Sequence, residues 1–383
     1  MSIFTVGDSL QLANAIKLAA GGDTILLSEG TYSGLSFKNL HFSQPVTITS
    51  ETGGAVLKSF NISNSNGLSF QNLEFSNAGE TGYYTWGVTD SQDIHFNNID
   101  IHGSLNGNPQ DDVEGIGISH SSNVSITNSQ FHELYRSIAV GSDDGVRISG
   151  NSFHDIARSG IYGADSSNVV ISHNSFTDFF PRIGDHMDAI AFYNTAAGGI
   201  SHNITISDNI IVKGAGSPTQ GIYLRGPSGS TATSYDNLSV TNNLVVGEGY
   251  NGIGVGEATH LNVSGNVVVS YPGKDRISWI DIRDTVGAVV SNNQAALVGV
   301  VAANNNIGLI QSGNVITSPV TDLGAVAIGN WLSLHPDDWS HIPSSVQALA
   351  FPTPTPAPVT VIEPIVTFTE FSLGSFGGFG FFL

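Results

Sequence analysis

The ten residues from Gly184 to Tyr193 bring Asp185, His186, Asp188 and Tyr193 together in a chain of which only 11% is Asp, Glu, Lys or Arg. That local concentration of two carboxylates, an imidazole and a phenol asks for a reason. An imidazole oriented by a carboxylate is a general base, and a phenol can return a proton. Carboxylate oxygens at Asp185 and Asp188 could instead hold a hard cation, for which calcium is the natural candidate. A third reading is hydrogen bonding at a chain corner, which accounts for one such residue more easily than for three.

The elements that must position these residues are repeats. The openings Val124-Ser125-Ile126, Val146-Arg147-Ile148 and Val169-Val170-Ile171 follow one another at 22 and 23 residues, and Ile204-Thr205-Ile206, Leu238-Ser239-Val240 and Leu261-Asn262-Val263 continue the series with insertions. Most alternate apolar and polar residues, as strands with one buried face do. Five residues after the openings at 146, 169, 204, 238 and 261 comes an Asn, at Asn151, Asn174, Asn209, Asn243 and Asn266, and Asn293 follows Ala288 at the same offset. Stacked Asn side chains can bond to one another along an axis, and Asn tolerates the left-handed backbone that a sharp corner needs.

A second strand in each unit carries Ile116, Ile138, Ile161, Ile190, Ile222, Ile253 and Ile280, which should stack inside a solenoid. With that ladder as register, the outward position after each Ile holds Tyr162, Ala191, Tyr223, Gly254 and Asp281 on successive coils, and two further along lie Tyr193, Arg225 and Arg283. Gly and Ala read as room for a ligand, and the tyrosines as rings to stack on sugars and phenols to donate protons. Two residues before the ladder, Asp188 shares a polar column with Ser159, Gln220, Glu114 and Asn251. The insertions Asn106–Asp112, Asn194–Gly199 and Gly226–Ala232 flank this strand and are expected to wall a groove over it.

Basic residues point to the same face. Of 12 Lys and Arg, Arg136, Arg158, Arg182, Arg225, Lys274, Arg276 and Arg283 lie close in sequence to a ladder Ile, which suggests a strip facing a polyanion. Arg136, Arg158 and Arg182 end similar segments, so a ladder in which Arg bridges Asp and Glu of neighbouring coils is the alternative. Elsewhere the charge is negative, 32 Asp and Glu against those 12 for a net −20, which argues against nucleic acid and anionic membrane as partners. There is no Cys, hence no disulfide framework or thiolate metal site. No apolar run is long enough for a membrane span.

Ser9–Ala20 has apolar residues at helical spacing, Asp8 or Ser9 as N-cap and Gly21-Gly22 as stop, and short strands follow directly. This opening resembles the helix-capped start of right-handed parallel β-helix proteins. The expected class is all-β: a right-handed single-stranded parallel β-helix of about 10–12 coils, with an N-terminal helical cap at 1–23, the solenoid at 24–318, a small C-terminal cap at 319–350, and a Pro-rich linker with a Phe/Gly-rich tail at 351–383. The N-terminus lacks the basic start and apolar run of a secretory signal. The acidic, Gly-rich composition and the ending Gly380-Phe381-Phe382-Leu383 resemble proteins exported by type I secretion, and the tail could equally dock onto a partner or a second copy.

The architecture resembles the pectate-lyase-like superfamily over roughly residues 5 to 310. Within it, Tyr162-Gly163-Ala164-Asp165 followed one coil on by Asp188-Ala189-Ile190 is similar to the Tyr-Gly-x-Asp-Pro-His and Asp-Gly-Phe segments of mannuronan C5-epimerase catalytic modules. Ser166-Ser167 stands where Pro-His belongs, so the imidazole must come from His186. The resemblance implies an extracellular or cell-surface protein acting on an acidic polysaccharide by lysis or C5 epimerisation. In that chemistry the base takes the proton beside a carboxylate whose charge must be neutralised. His186 would be the base, Asp188 and Asp165 would orient it or hold a cation, Tyr162 or Tyr223 would donate the proton, and Arg225 or Arg182 would neutralise the carboxylate. Arg158, Tyr193, Asp281 and Arg283 would contact substrate. Two alternatives stay open: a glycoside hydrolase using paired Asp carboxylates, and a non-catalytic glycan-binding spike, adhesin or surface-layer component.

Overall fold

Strands that are apolar on one face can bury it by coiling round a common axis and stacking on their own repeats. In this computed structural model the described residues are 1–80, 84–227, 232–247, 249–270, 277–299, 305–317 and 323–335. Lys274, Arg276, residues 228–231 of the third insertion and the whole of 351–383 lie outside them. Each turn of the chain contributes to three parallel sheets. The first pairs Val124 with Val146 and Val169 with Ile204. The second pairs Phe131 with Phe153 and Phe153 with Phe176, with rings stacked at 4.9 and 4.6 Å. The third is the isoleucine ladder, in which 116, 138, 161, 190, 222, 253 and 280 pair in succession and are fully buried. Full burial of such a side chain contributes roughly 1.5–3 kcal/mol.

The asparagines stack at the corner between the first and second sheets. Asn174 Nδ2 donates to Ile148 O and to Asn209 Oδ1, both at 3.0 Å, and Asn174 N donates to that same oxygen at 3.0 Å. The pattern continues through Asn243, Asn266 and Asn293, so these buried amides use both ends. The left-handed backbone expected of them sits one residue earlier, at Gly150, His173, Asp208, Asn242, Gly265 and Asn292. An amide that must point inward along the axis leaves the reversal of the chain to its predecessor.

Both ends differ in part from expectation. The helix Ser9–Leu18 is capped by Asp8, which accepts from Gln11 N at 2.8 Å, and it buries Leu12, Ala15 and Ile16. Ahead of it Ile3–Val6 already pairs with Thr24–Leu27, so the N-terminal segment supplies a rung as well as a cap. The helix Leu323–Leu334 packs Ala327, Ile328, Trp331 and Leu332 against Ile210, Val212, Leu244, Val246 and Val267. It therefore lies along the outer face of the second sheet, with Trp331 Nε1 donating to Asn242 O at 3.0 Å. Ile310, Val315 and Ile316 on the last rungs are exposed. No helix among the described residues is long and apolar enough to cross a membrane.

Candidate active site

The outer face of the third sheet carries the candidate residues in the expected register. Tyr162 pairs with Ala191, Ala191 with Tyr223, Tyr223 with Gly254 and Gly254 with Asp281, while Tyr193 pairs with Arg225. Asp188 pairs with Ser159 on one side and Gln220 on the other.

One edge of this face is walled. Thr177–Met187 runs between the second and third sheets and meets the insertion before Glu114, where Gln110 Nε2 donates to Pro181 O at 2.9 Å and Arg182 Nε donates to Gln110 O at 2.7 Å. The Arg182 guanidinium lies 3.9 Å from the Tyr135 ring centroid, and Tyr135 OH donates to both Asp185 oxygens at 3.1 Å. Arg182 and Asp185 thus hold the wall together. At the opposite corner Asp165 accepts from Thr195 N and Thr195 Oγ1, both at 2.7 Å, and fixes the Asn194–Gly199 insertion. The structure does not bring Asp165 to His186. Among the described residues no three of His, Asp and Glu are grouped to hold a metal ion.

His186 stands at the foot of the wall with 53% of its side chain exposed, and Asp188 beneath it is 3% exposed. His186 Nδ1 is 2.9 Å from Asp188 Oδ2, and Tyr193 OH donates to that oxygen at 3.4 Å. Asp188 Oδ1 is buried without a hydrogen-bond partner. Hydrogen bonding to Asp188 raises the imidazole pKa above its usual value, against desolvation and the nearby positive charge of Arg158. Burial, followed by the charge of Asp188, keeps the Tyr193 phenol protonated far above its ordinary range.

A chain of hydrogen bonds reaches His186 from three coils away and sets its tautomer. The indole of Trp279 can only donate, and does so to Asn251 Oδ1 at 3.1 Å. Asn251 Nδ2 then donates to Gln220 Oε1, and Gln220 Nε2 donates to His186 Nε2 at 2.5 Å. Nε2 is therefore the acceptor, and Nδ1 carries the hydrogen donated to Asp188. That is the tautomer a base acting through Nε2 requires.

Tyrosines line the floor. The Tyr193 ring lies 6.0 Å from Tyr162 and 5.6 Å from Tyr223, and the His186 ring is 6.3 Å from Tyr223. Arg225 is buried, donating to Tyr223 OH and to Asp281 Oδ2, each at 3.3 Å, and Arg283 donates to the same carboxylate at 2.5 Å. Asp281 is fully buried between these arginines. Arg158 makes no hydrogen bond or ion pair with the described residues, which leaves it available to an anion.

Two expectations change. Gly254 does not leave space for a ligand: a Cβ there would meet the Tyr223 ring at 2.8 Å, just as one at neighbouring Gly256 would meet the Arg225 guanidinium at 1.9 Å. These glycines let Tyr223 and Arg225 lie flat along the groove, as Gly117 does for Tyr84. Second, Arg136 pairs in register with Ser159 and not with Arg158, because Ser152–Ala164 carries one extra residue opposite Leu134–Arg136. Arg136 consequently lies over the Tyr162 ring at 4.7 Å and donates to Tyr84 OH at 2.9 Å and Glu114 Oε1 at 3.0 Å. Sequence reasoning placed Glu114 in the right column but missed Tyr84, whose strand begins after an insertion.

The family described as the right-handed β-helix region matches residues 58–226. Among solved structures the fold is similar to a lacto-N-biosidase from Eubacterium ramulus at 14% identity, covering 82% of this chain and 68% of that one with a TM-score of 0.54. It is also similar to PfbA, a surface adhesin of Streptococcus pneumoniae, at 14% identity over 79% and 86% with a TM-score of 0.50. An alginate lyase from a Paenibacillus species aligns at 17% identity over 84% and 99%, with a TM-score of 0.48. No curated protein matches the sequence. At these identities the likeness shows the fold, a right-handed parallel β-helix of the kind expected, and function rests on the site itself.

Proposed function

We propose that the protein is an extracellular enzyme that removes the C5 proton of a uronic acid within a polysaccharide, as a lyase or a C5-epimerase. The observation that carries this reading is the convergence of a His186–Asp188 dyad, in the tautomer with a lone pair on Nε2, with the phenols of Tyr162, Tyr193 and Tyr223. His186 Nε2 takes the proton. A phenol protonates the opposite face of the sugar in epimerisation, or the departing oxygen in elimination. Arg158, the cation left uncommitted beside the imidazole, meets the uronate carboxylate and offsets the charge that builds on it, a role for which one well-placed donor is worth roughly 10²–10³ in rate. Arg225, held by Asp281 and Tyr223, positions the Tyr223 ring.

The carboxylates on the groove floor argue against hydrolysis, and Asp185, the one nearest Asp188 in sequence, is held in the wall by Tyr135 OH. Glu114 lies three rungs from Asp188, through Arg136 and Ser159, or about 14 Å at 4.8 Å per rung. Asp281 is as far from Ala191 and is closed between two arginines. A glycosidase pair stands about 5 to 9.5 Å apart. Incubation with uronate polysaccharides tests the assignment: unsaturated ends or inverted C5 centres support it, and new reducing ends without unsaturation select a hydrolase.

One observation favours a second reading, a glycan-binding protein without catalysis. The Nε2 lone pair of His186 already receives the Gln220 amide hydrogen, which a substrate must displace. Tight glycan binding with no change in the polymer would select it.

A further inference from the structure

The groove is chemically unlike on its two sides of Tyr162. Toward the C-terminal end its floor carries Arg225, Asp281 and Arg283. Toward the N-terminal end an open groove of about 820 Å³ runs over the rungs of Asn61, Gly87, Gly117, Ala139 and Tyr162, a length of about 19 Å. The polar side chains that line this arm are neutral: Ser59, Asn61, Thr85, Thr89 and Ser119, with Tyr84 and Tyr162 supplying ring faces. Its floor is glycine and alanine, with the Tyr84 ring lying across Gly117 and the Asn61 side chain across Gly87. At its edge the Arg136–Glu114 pair is neutral as a unit, Glu114 buried and Arg136 partly so, with Arg136 Nη1 at 3.0 Å from Glu114 Oε1. Lys38 pairs with Ser63 on the outermost rung, at the far mouth of the groove.

Hydroxyl and amide groups of this kind recognise sugar hydroxyls, and tyrosine faces cover the apolar faces of pyranose rings. They do not compensate charge. A polymer with a carboxylate on every sugar would bring several anions onto neutral hydrogen-bonding groups in a protein of net charge −20, without a counter-ion for each. We infer that this N-terminal arm binds neutral sugars, so that the substrate is a heteropolysaccharide. Its reacting uronate lies at Tyr162, Tyr193 and Tyr223, and on one side it is joined to a run of uncharged residues. The inference rests on the assignment of those tyrosines and His186 as the reaction centre.

The test compares binding of the full chain, by affinity electrophoresis and calorimetry, to two classes of polymer. One is polygalacturonate and polymannuronate; the other is exopolysaccharide whose repeat holds one uronate among neutral hexoses. The second class is expected to bind at least about tenfold more tightly. Ser119→Arg, which places a cation in the arm away from the reaction centre, should weaken that preference by strengthening binding of the homopolyuronates. Equal or tighter binding of homopolyuronates by the wild type, no effect of Ser119→Arg on either class, or failure of both classes to bind overturns the inference. Its failure is separable from that of the reaction assignment. Homopolyuronate turned over in a His186-dependent way overturns the neutral arm and keeps the chemistry. One-uronate polymer bound selectively without any C5 chemistry keeps the neutral arm and overturns the chemistry.

Discussion

Replacing Asp188 by Asn removes a nearly buried charge while keeping the shape of the side chain. In the wild type this carboxylate accepts from His186 Nδ1 at 2.9 Å and from Tyr193 OH at 3.4 Å. A hydrogen bond to a charged group contributes about 1.5–3 kcal/mol. If that difference appears fully when His186 becomes imidazolium in the transition state, turnover falls roughly 10- to 150-fold, at 1.36 kcal/mol per factor of ten. The pH profile should move as well. Asp188 raises the His186 pKa, and the base is active only when neutral, so activity rises with pH through that raised pKa. In Asp188→Asn the acid limb shifts to lower pH even as the maximum drops. Gln220→Glu, which sets an anion against Nε2, should shift it to higher pH. The assay is the initial rate of C5 proton loss across the pH range, with circular dichroism to establish folding. An unchanged acid limb in both variants refutes the dyad as the titrating base.

Other perturbations test the scaffold and the anion site. Asn209→Ala deletes a side chain that accepts from Asn174 N and Nδ2 and donates to Ile171 O and Asn243 Oδ1. Buried groups left unsatisfied cost about 1–3 kcal/mol each, so denaturant melts should show a loss of roughly 3–6 kcal/mol. Burial pushes the Asp143 carboxyl up to about 6 from 3.8, despite hydrogen bonds from Ser121 N and Gly141 N. Its charged form is therefore disfavoured in the fold, and the stability it removes grows as pH rises from about 4 to about 6, reaching about 3 kcal/mol. Asp143→Asn should raise the melting temperature above about pH 6 and have little effect near pH 4, as thermal scans at each pH will show. Arg158→Ala should weaken binding of an anionic glycan about tenfold and flatten its salt dependence, measured by calorimetry at two ionic strengths.

Much of this arrangement was legible because a solenoid repeats its constraints. Strand alternation and the recurring Ile and Asn fixed which residues share a column, so Tyr162, Ala191, Tyr223, Gly254 and Asp281 stack as expected. Features that break the repeat were hidden. One extra residue between Ile156 and Ser159 moves Arg136 into the Ser159 column, and nothing in the spacing announces a bulge. The bond between Gln110 and Arg182 joins insertions from separate coils, and period carries no information about which insertions meet. The Trp279–Asn251–Gln220 chain needed side-chain directions as well as columns. The packing of Leu323–Leu334 did leave a signal: Ile210-Ile211-Val212 and Leu244-Val245-Val246 are apolar on both faces, which marks a strand covered from outside.

The central claim is that His186 takes the proton from C5. It is tested most directly by incubating a uronate heteropolysaccharide with the protein in deuterated water and following deuterium at C5, together with any C4=C5 unsaturation, by nuclear magnetic resonance. Wild-type protein is expected to exchange or eliminate that proton, and folded His186→Ala protein to do neither. Undiminished exchange in His186→Ala, or new reducing ends from the wild type with the C5 proton intact, contradicts the claim.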